Sequence, residues 1–309
     1  MDHAFATASG APSPAPDDDV PIPYMQRTRE WYLALGYGNP YRWAHCSDVP
    51  FQPLGKPLSQ CTLALVTTAA PYRPDKGPQG PGAPYNGAAK FHEVYSGDTA
   101  ADHDLRIAHV AIDRRHTSME DSGCWFPLPA LRQAVARGRL GRLAPRFHGA
   151  PTTRSQRSTI EVDAPQIVAR CRADGADVAL LVANCPVCHQ TLSLVARQLE
   201  AAGVATVVMG CAKDIVEHAG VPRFLFSDFP LGNAAGRPLD GASQAATLEL
   251  ALRVLESAPA PRTTVQSPQR WSDSAAWKQD YCNASRVDAA ELARLRAEFD
   301  AAKAGAKPA

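Results

Sequence analysis

No apolar stretch in this chain approaches the roughly 20 residues that a membrane helix needs, so no membrane partner is expected. Charge of one sign is also missing. Among 309 residues, Lys and Arg number 32, Asp and Glu number 31, and the formal net charge is +1. A nucleic acid or an anionic lipid surface would call for a basic field, so neither is expected to bind. The opening stretch MDHAFATASGAPSPAPDDDV has neither a basic start nor an apolar run. It does not read as a secretory signal, and the chain is expected to be cytoplasmic, with its eight cysteines reduced. Also absent are a G-x-G-x-x-G after a strand, a P-loop and a closed metal-ligand set. No nucleotide, dinucleotide or metal cofactor is therefore expected.

What is present is concentrated in Asp177–Thr191, DVALLVANCPVCHQT. The apolar run Val178–Val182 ends at Asn184, Cys185-Pro186-Val187-Cys188 follows, and helical spacing begins beyond it. Two thiols thus stand where a strand feeds a helix. Unpaired N–H groups and the helix dipole there favour an anion, and a cysteine at that position loses its proton more readily. Pro186 suits the first helical position. Other readings of the motif stay open. Cys185 and Cys188 pack as small hydrophobes in an ordinary core, or cycle as a thioredoxin-like dithiol. A zinc site would need two more ligands at similar spacing. Cys185–His189 also spells the C-x-x-C-H haem-attachment pattern, which is hard to reconcile with a chain lacking an export signal.

The organisation expected is a disordered tail over residues 1–19, an N-terminal α/β half over 20–150, a C-terminal half over 151–257 that carries the CxxC motif, and a linker with a C-terminal helix over 258–309. In the first half, Thr28–Leu35 reads as a helix, Thr62–Thr68 as a buried strand, Leu105–Ile112 as a second strand and Ala130–Arg137 as a helix. The Pro/Gly-rich stretch Ala70–Ala88 is too long for a simple connector and reads as a lid or binding loop. After a helix at Ile160–Ala173, the second half becomes regular. Strands at Val178–Val182, Ala205–Met209 and Arg223–Ser227 alternate with helices at Thr191–Ala202 and Asp214–Ala219. Such alternation predicts an α/β fold with parallel sheet covered by helices. Gln244–Glu256 reads as a helix and Ser257–Pro268 as a linker. The last helix, Ala289–Ala302, opens with the capping box Asp288 and Glu291. Its few apolar positions leave two readings: it packs on a second copy in a homo-oligomer, or it is solvated.

Ligands of open parallel sheets bind outside the carboxyl ends of the strands. Thr67-Thr68, Asp113–His116, Asn184–Cys188, Gly210-Cys211 and Asp228 are expected to converge there. The same topology puts Cys61 at the opposite edge and makes Cys171 and Cys282 structural, with Cys46 and Cys124 on loops. His116 reads as a general base or as a loop-fixing histidine. Thr67 and Thr68 read as carboxylate binders or as caps of the following turn.

With those residues in view, the chain resembles the selenoprotein B family of glycine, sarcosine and betaine reductases and its shorter selenium-free relatives. The matching segments are PFQPLGKPLSQCTLALVTTAAPY (Pro50–Tyr72), His116 followed by Asp121–Pro127, LGRLAPRFHG (Leu140–Gly149), CPVCHQT (Cys185–Thr191) and PRFLFSDFPLG (Pro222–Gly232), in that order. Selenium-containing members carry selenocysteine just upstream of Cys-x-x-Cys, where this chain has Val182. What the resemblance implies is the fold and the Cys185/Cys188 loop. The architecture also resembles the Asp/Glu racemase superfamily, which implies two pseudo-symmetric halves and one catalytic cysteine from each. Cys46, in the aromatic segment with Arg42 and Trp43, is then the first choice for a second thiol, and Cys211 the next. Arg42, Asn184, Thr67, Thr68, His116 and Cys211 are candidate substrate-binding residues.

The resulting expectation is a cofactor-free cysteine enzyme acting on a small carboxylate-bearing molecule. Cys185 would attack a thiocarbonyl carbon and sulfide would leave, as in a desulfhydrase. The rivals are a two-cysteine racemase or isomerase, a dithiol reductase related to the glycine, betaine and proline reductases, and a non-catalytic binding subunit.

Overall fold

Six consecutive buried residues, TLALVT, form the strand β1 (Thr62–Thr67). Burial on both faces is what an apolar run without alternation requires, because such a strand has no side for water. The computed structural model describes residues 20–39 and 41–305; the tail expected to be disordered, residues 1–19, lies outside the described residues. Beyond β1 the strands are β2 (Ala70–Pro71), β3 (Tyr95–Asp98), β4 (Leu105–Arg106), β5 (Arg142–Leu143) and β6 (Arg146–Gly149). They continue with β7 (Val178–Val182), β8 (Ala205–Gly210), β9 (Arg223–Phe226) and β10 (Thr263–Gln266). The helices are α1 (Tyr24–Ala34), α2 (Leu128–Ala136), α3 (Gln156–Ser158), α4 (Ala164–Ala173), α5 (Pro186–Ala201), α6 (Lys213–Ala219), α7 (Gly241–Ser257) and α8 (Ala289–Gly305). A π turn, Thr159–Asp163, joins α3 to α4.

β2 and β4 form a separate antiparallel pair, and the other eight strands form one sheet in the order β10-β9-β8-β7-β1-β6-β3, with β5 also paired to β1. Every pairing in that sheet is parallel except β3 with β6. This is the α/β class expected: a mostly parallel sheet flanked by helices. Strands from both expected halves share it, since β1 and β7 are hydrogen-bonded neighbours from Leu63↔Val178 to Thr67↔Val182. Packing joins them further: β7 and β8 are buried at every position, and α5 carries twelve buried residues against them.

Three local readings change. Leu105–Ile112 is a strand only at Leu105–Arg106, paired with Ala70–Pro71, and the rest is an irregular segment across the carboxyl edge. The expected linker contains β10, which adds to the sheet with Thr263 opposite Arg223. β6 is also a strand, although RFHG has no period that announces one. The capping box holds: the Asp288 carboxylate accepts from the Glu291 N–H at 2.8 Å. Among the described residues no helix is long and apolar enough to cross a membrane.

Candidate active site

The sheet order reverses beside β1. The chain passes from β1 to β6 on one side, then returns to β7 on the other. At such a switch point the loops leaving two adjacent strands diverge and open a crevice. Thr67-Thr68 leave β1 there and Asn184–Cys188 leave β7. The two loops are tied directly, because the Asn184 side-chain amide donates to Thr68 Oγ1 at 3.0 Å. Thr67 has the other role considered for it: its hydroxyl accepts from the Ala69 N–H and shapes the turn.

Cys185 is the N-cap of α5, with extended backbone (φ −122°, ψ 169°) and Pro186 as the first helical residue. Its sulfur accepts from the Cys188 N–H at 3.2 Å, one of the orphan donors of the first turn. The two sulfurs face each other at 2.6 Å and both cysteines are free. Only Pro186 and Val187 separate them in the chain, so closing a disulfide asks for little backbone movement.

Charge and access are divided between the two. Burial is the largest influence on Cys188 and pushes its thiol up. The contacts with Cys185, His109 and Thr68 outweigh it together and hold the thiol well below the ordinary cysteine range. Burial, reinforced by the neighbouring sulfur, pushes Cys185 well above that range. With their sulfurs in contact and buried, the two thiols titrate as a pair. His109 faces the Cys188 sulfur: burial disfavours its charged form, but Cys188 draws its pKa up on balance. Its Nε2 lies 2.9 Å from the Thr68 carbonyl oxygen. The sequence expectation had the thiolate on Cys185, from its place at the helix start. That place is confirmed, yet the stronger stabilisation of charge falls on Cys188, which is wholly buried. Cys185 is the sulfur that borders the cavity.

His189 fixes the loops. Its Nε2 accepts from the N–H groups of both Cys211 (2.8 Å) and Ala212 (3.1 Å). Nδ1 must then carry the proton, which it donates to the Cys185 carbonyl at 2.7 Å. Burial holds this ring neutral, with its pKa lowered to about 4. Gly210 makes room for it: a Cβ there would stand 2.5 Å from the imidazole Cδ2.

A cavity of ≈ 490 Å³ opens beside Cys185, Pro186 and Val187. Its walls come from α1, the segment Tyr37–Trp43, the loop Ala70–Phe91, the irregular segment around His109, Arg154, and Phe299 of α8. The long Pro/Gly-rich loop therefore does border the crevice, as expected of a binding loop.

The other expected site residues scatter. Cys46 does not reach the crevice. Residues 41–52 run along α5, with Ala44 N–H on Gln190 (2.7 Å) and Gln52 N–H on Glu200. That course carries Cys46 toward the amino edge of the sheet, where its carbonyl accepts from Arg262 at 2.6 Å. Arg42 lies beside a neighbouring depression with Trp43 and Asp214, and its carbonyl accepts from Gln156. His116 pairs with Asp280 at 3.0 Å and packs edge-on to Trp277, holding the C-terminal segment. Cys211 is on the expected edge, joined to the motif through its N–H. Its buried thiol, however, faces the amides of Asn233 and Phe229, and burial raises its pKa strongly. Cys61, Cys124, Cys171 and Cys282 are all pushed up by burial. Sequence reasoning missed His109, because the alternation in IAHVAI suggested a strand rather than a loop facing a thiolate. It missed Lys90 and Arg154 because single cations in loops carry no pattern. Among the described residues no group of three or more His, Cys, Asp or Glu is arranged to hold a metal ion.

No family model and no solved structure matches the chain. Two characterised relatives do. The D-proline reductase subunit gamma of Acetoanaerobium sticklandii is 29% identical over 224 residues, covering 71% of this chain and 88% of that subunit. The glycine reductase complex component B subunit gamma of Carboxydothermus hydrogenoformans is 25% identical over 195 residues, covering 60% of this chain and 43% of that subunit. Both similarities support the resemblance to the selenoprotein B-like reductase subunits. Val182 is a buried strand residue.

Proposed function

We propose that this chain is a thiol-dependent, reductase-related protein in which Cys185 and Cys188 supply two electrons to a small molecule bound in the adjoining cavity. The observation that carries the reading is the pair of free sulfurs 2.6 Å apart at a helix start, with His109 and Thr68 on the buried one and the cavity on the other. Two sulfurs that face each other suit disulfide chemistry. A racemase of the Asp/Glu type needs sulfurs on opposite faces of its substrate.

The balance is simple. A substrate R–X, with X bound through nitrogen or sulfur, accepts two electrons and two protons. R–H and H–X leave, and the sulfurs of Cys185 and Cys188 become joined. Cys188 holds the charge, Cys185 holds the proton nearest the cavity, and His109 offers a second proton beside Cys188. A dithiol or a reducing partner must then reopen the disulfide. The relatives' being subunits of D-proline reductase and of glycine reductase component B supports that requirement for a partner.

Desulfhydrase chemistry is the second reading, favoured by Cys185 alone bordering the cavity. There a single sulfur attacks a thiocarbonyl, sulfide leaves, and water releases the oxo product with no change in thiol count. One experiment separates the two. The reduced protein is mixed with candidate C–N and C–S substrates without added reductant, and thiols are counted against product. One product per two thiols lost supports reduction; sulfide release at constant thiol count supports the desulfhydrase. No product from the protein in either format would return it to the role of a binding subunit.

A further inference from the structure

The cavity beside Cys185 is positively charged and has aromatic walls. Four cations border it, Arg29, Lys90, Arg106 and Arg154, and no Asp or Glu does. Arg106 is neutralised by Asp104 at 2.6 Å. Arg29, Lys90 and Arg154 have no carboxylate partner among the described residues, and of these Lys90 and Arg154 influence each other directly.

Both are set in place by local structure. Arg154 has a left-handed backbone (φ 66°), unusual for a residue with a side chain. Tyr41 Oη donates to its carbonyl at 3.1 Å, and the next residue, Ser155, caps α3. Non-glycine residues held in that conformation cost about 1 kcal/mol or more and gather at ligand sites. Lys90 follows a short turn, Gly87–Ala89, capped by Asn86. Asn86 itself is anchored to the carbonyls of Lys76 and Pro78. Burial, and after it the charge of Arg154, pull the Lys90 ammonium down, while Cys185 and Cys188 act against them more weakly, so on balance the two cations repel each other.

We propose that this cavity takes a small ring-bearing carboxylic acid, its carboxylate held by Lys90 and Arg154 and its ring against Tyr32, Tyr41 and Tyr85. The inference rests on the reading that the space beside the dithiol is the substrate site, and it names the class of molecule that space takes. An anion relieves the repulsion between two unneutralised cations and gains charge-assisted hydrogen bonds. The aromatic faces would by themselves suit a cation as well as a ring, but the two positive groups exclude a cation. Burial keeps the three tyrosine hydroxyls neutral, so the wall offers flat apolar faces. Phe299 extends that wall from α8, edge-on to Tyr32 at 5.7 Å. The volume, ≈ 490 Å³, lies within the usual range of pockets that enclose a ring and its substituents.

The test uses the full chain carrying Cys185→Ser, so that binding is read without turnover. The probes are 3-phenylpropionate, 3-phenylpropanamide and acetate, followed by calorimetry and by the fluorescence of Trp43, which borders the cavity. The acid should bind about tenfold more tightly than its amide, the margin expected of hydrogen bonds to charged groups, and acetate should bind far more weakly than either. Lys90→Gln and Arg154→Gln should each remove most of the acid's advantage while leaving the amide unchanged, and Lys90→Arg should restore it. Unchanged amide binding doubles as the control for folding. Equal binding of acid and amide would overturn the carboxylate assignment. Acetate binding as tightly as 3-phenylpropionate would overturn the ring, and no binding of any probe would overturn both. Because no chemistry enters these measurements, charge-dependent binding would stand even if the thiol count refuted reduction.

Discussion

The two ends of α5 teach opposite lessons about buried polar groups. At the carboxyl end, Glu200 is buried and takes four donors: the Gln52 N–H, the Thr206 N–H and hydroxyl, and Arg223 at 2.8 Å. Arg223 stacks on Phe51 at 4.2 Å and donates to the Gln52 carbonyl, and of this cluster only its Nε is left without a partner. That end pins residues 41–52 to the sheet and borders neither the cavity beside Cys185 nor the depression beside Arg42. At the amino end, Asn184 Oδ1 is buried without a hydrogen-bond partner, and His109 faces the buried sulfur of Cys188. Two sulfurs face each other there at 2.6 Å, and Lys90 and Arg154 border the adjoining cavity without a carboxylate partner among the described residues. Buried polar groups are ordinarily satisfied, so a cluster that is satisfied reads as structure. A cluster left open beside a cavity reads as chemistry.

The largest expected effect breaks the comparison at its amino end. Cys188→Ser or Cys185→Ser should lower turnover about a thousandfold or more, as removal of one member of a joint catalytic unit does. Thermal unfolding should scarcely move, because each change replaces one atom. A stability loss as large as the activity loss would put this end in the same class as the other. Arg223→Met should do the reverse. It leaves Glu200 buried and uncompensated, a cost of about 3–5 kcal/mol, while the surviving folded fraction keeps its activity per molecule. Denaturant titration and active-site counting measure the two quantities separately.

His189 sharpens the contrast through pH. Its folded-state pKa of about 4 lies below the unfolded value of 6.5. The stability from keeping it neutral is fully present above 6.5 and is lost as pH falls toward 4, up to about 3 kcal/mol. His148, also held near 4 by burial, adds in the same direction. Asp163 and Asp214, raised to about 6 by burial, oppose both. The measurement is therefore the difference between native protein and His189→Gln. The variant should be less stable at neutral pH, with the gap narrowing as pH falls from 6.5 to 4. A constant gap would show that the ring is not held neutral. The smallest effect is electrostatic. His109→Asn should raise the pKa of the Cys188 thiol, read by the ultraviolet absorbance of the thiolate, with little change in folding. An unchanged titration would remove His109 from the site.

Much of this was legible along the chain. β1, β7, β8 and β9 are continuous apolar runs, and a strand buried on both faces can be written in no other way. The start of α5 was legible because Cys185, Pro186 and the helical spacing obey local rules. So was the role of the 70–88 stretch, since a proline- and glycine-rich segment of that length needs a surface to rest on. β10 and β6 were not legible: TTVQ and RFHG are strands because neighbouring strands offer them a ladder. Cys46 was misplaced for a related reason. Nothing in YRWAHCSDVPF says that it runs along α5 until Gln190, Arg197 and Glu200 are seen to hold it there.

The sequence by itself determined the α/β class, the junction that carries two thiols, and the edge of the sheet where they would lie. Each follows from interactions between residues close in the chain: periodicity, capping and the polarity of a helix start. Only the tertiary structure decided which sulfur bears the charge and what surrounds the other. His109 lies 79 positions from Cys188 in the chain, and Lys90 and Arg154 flank Cys185 from separate loops. Electrostatic and packing energies depend on distance in space, and the chain's order does not record that distance.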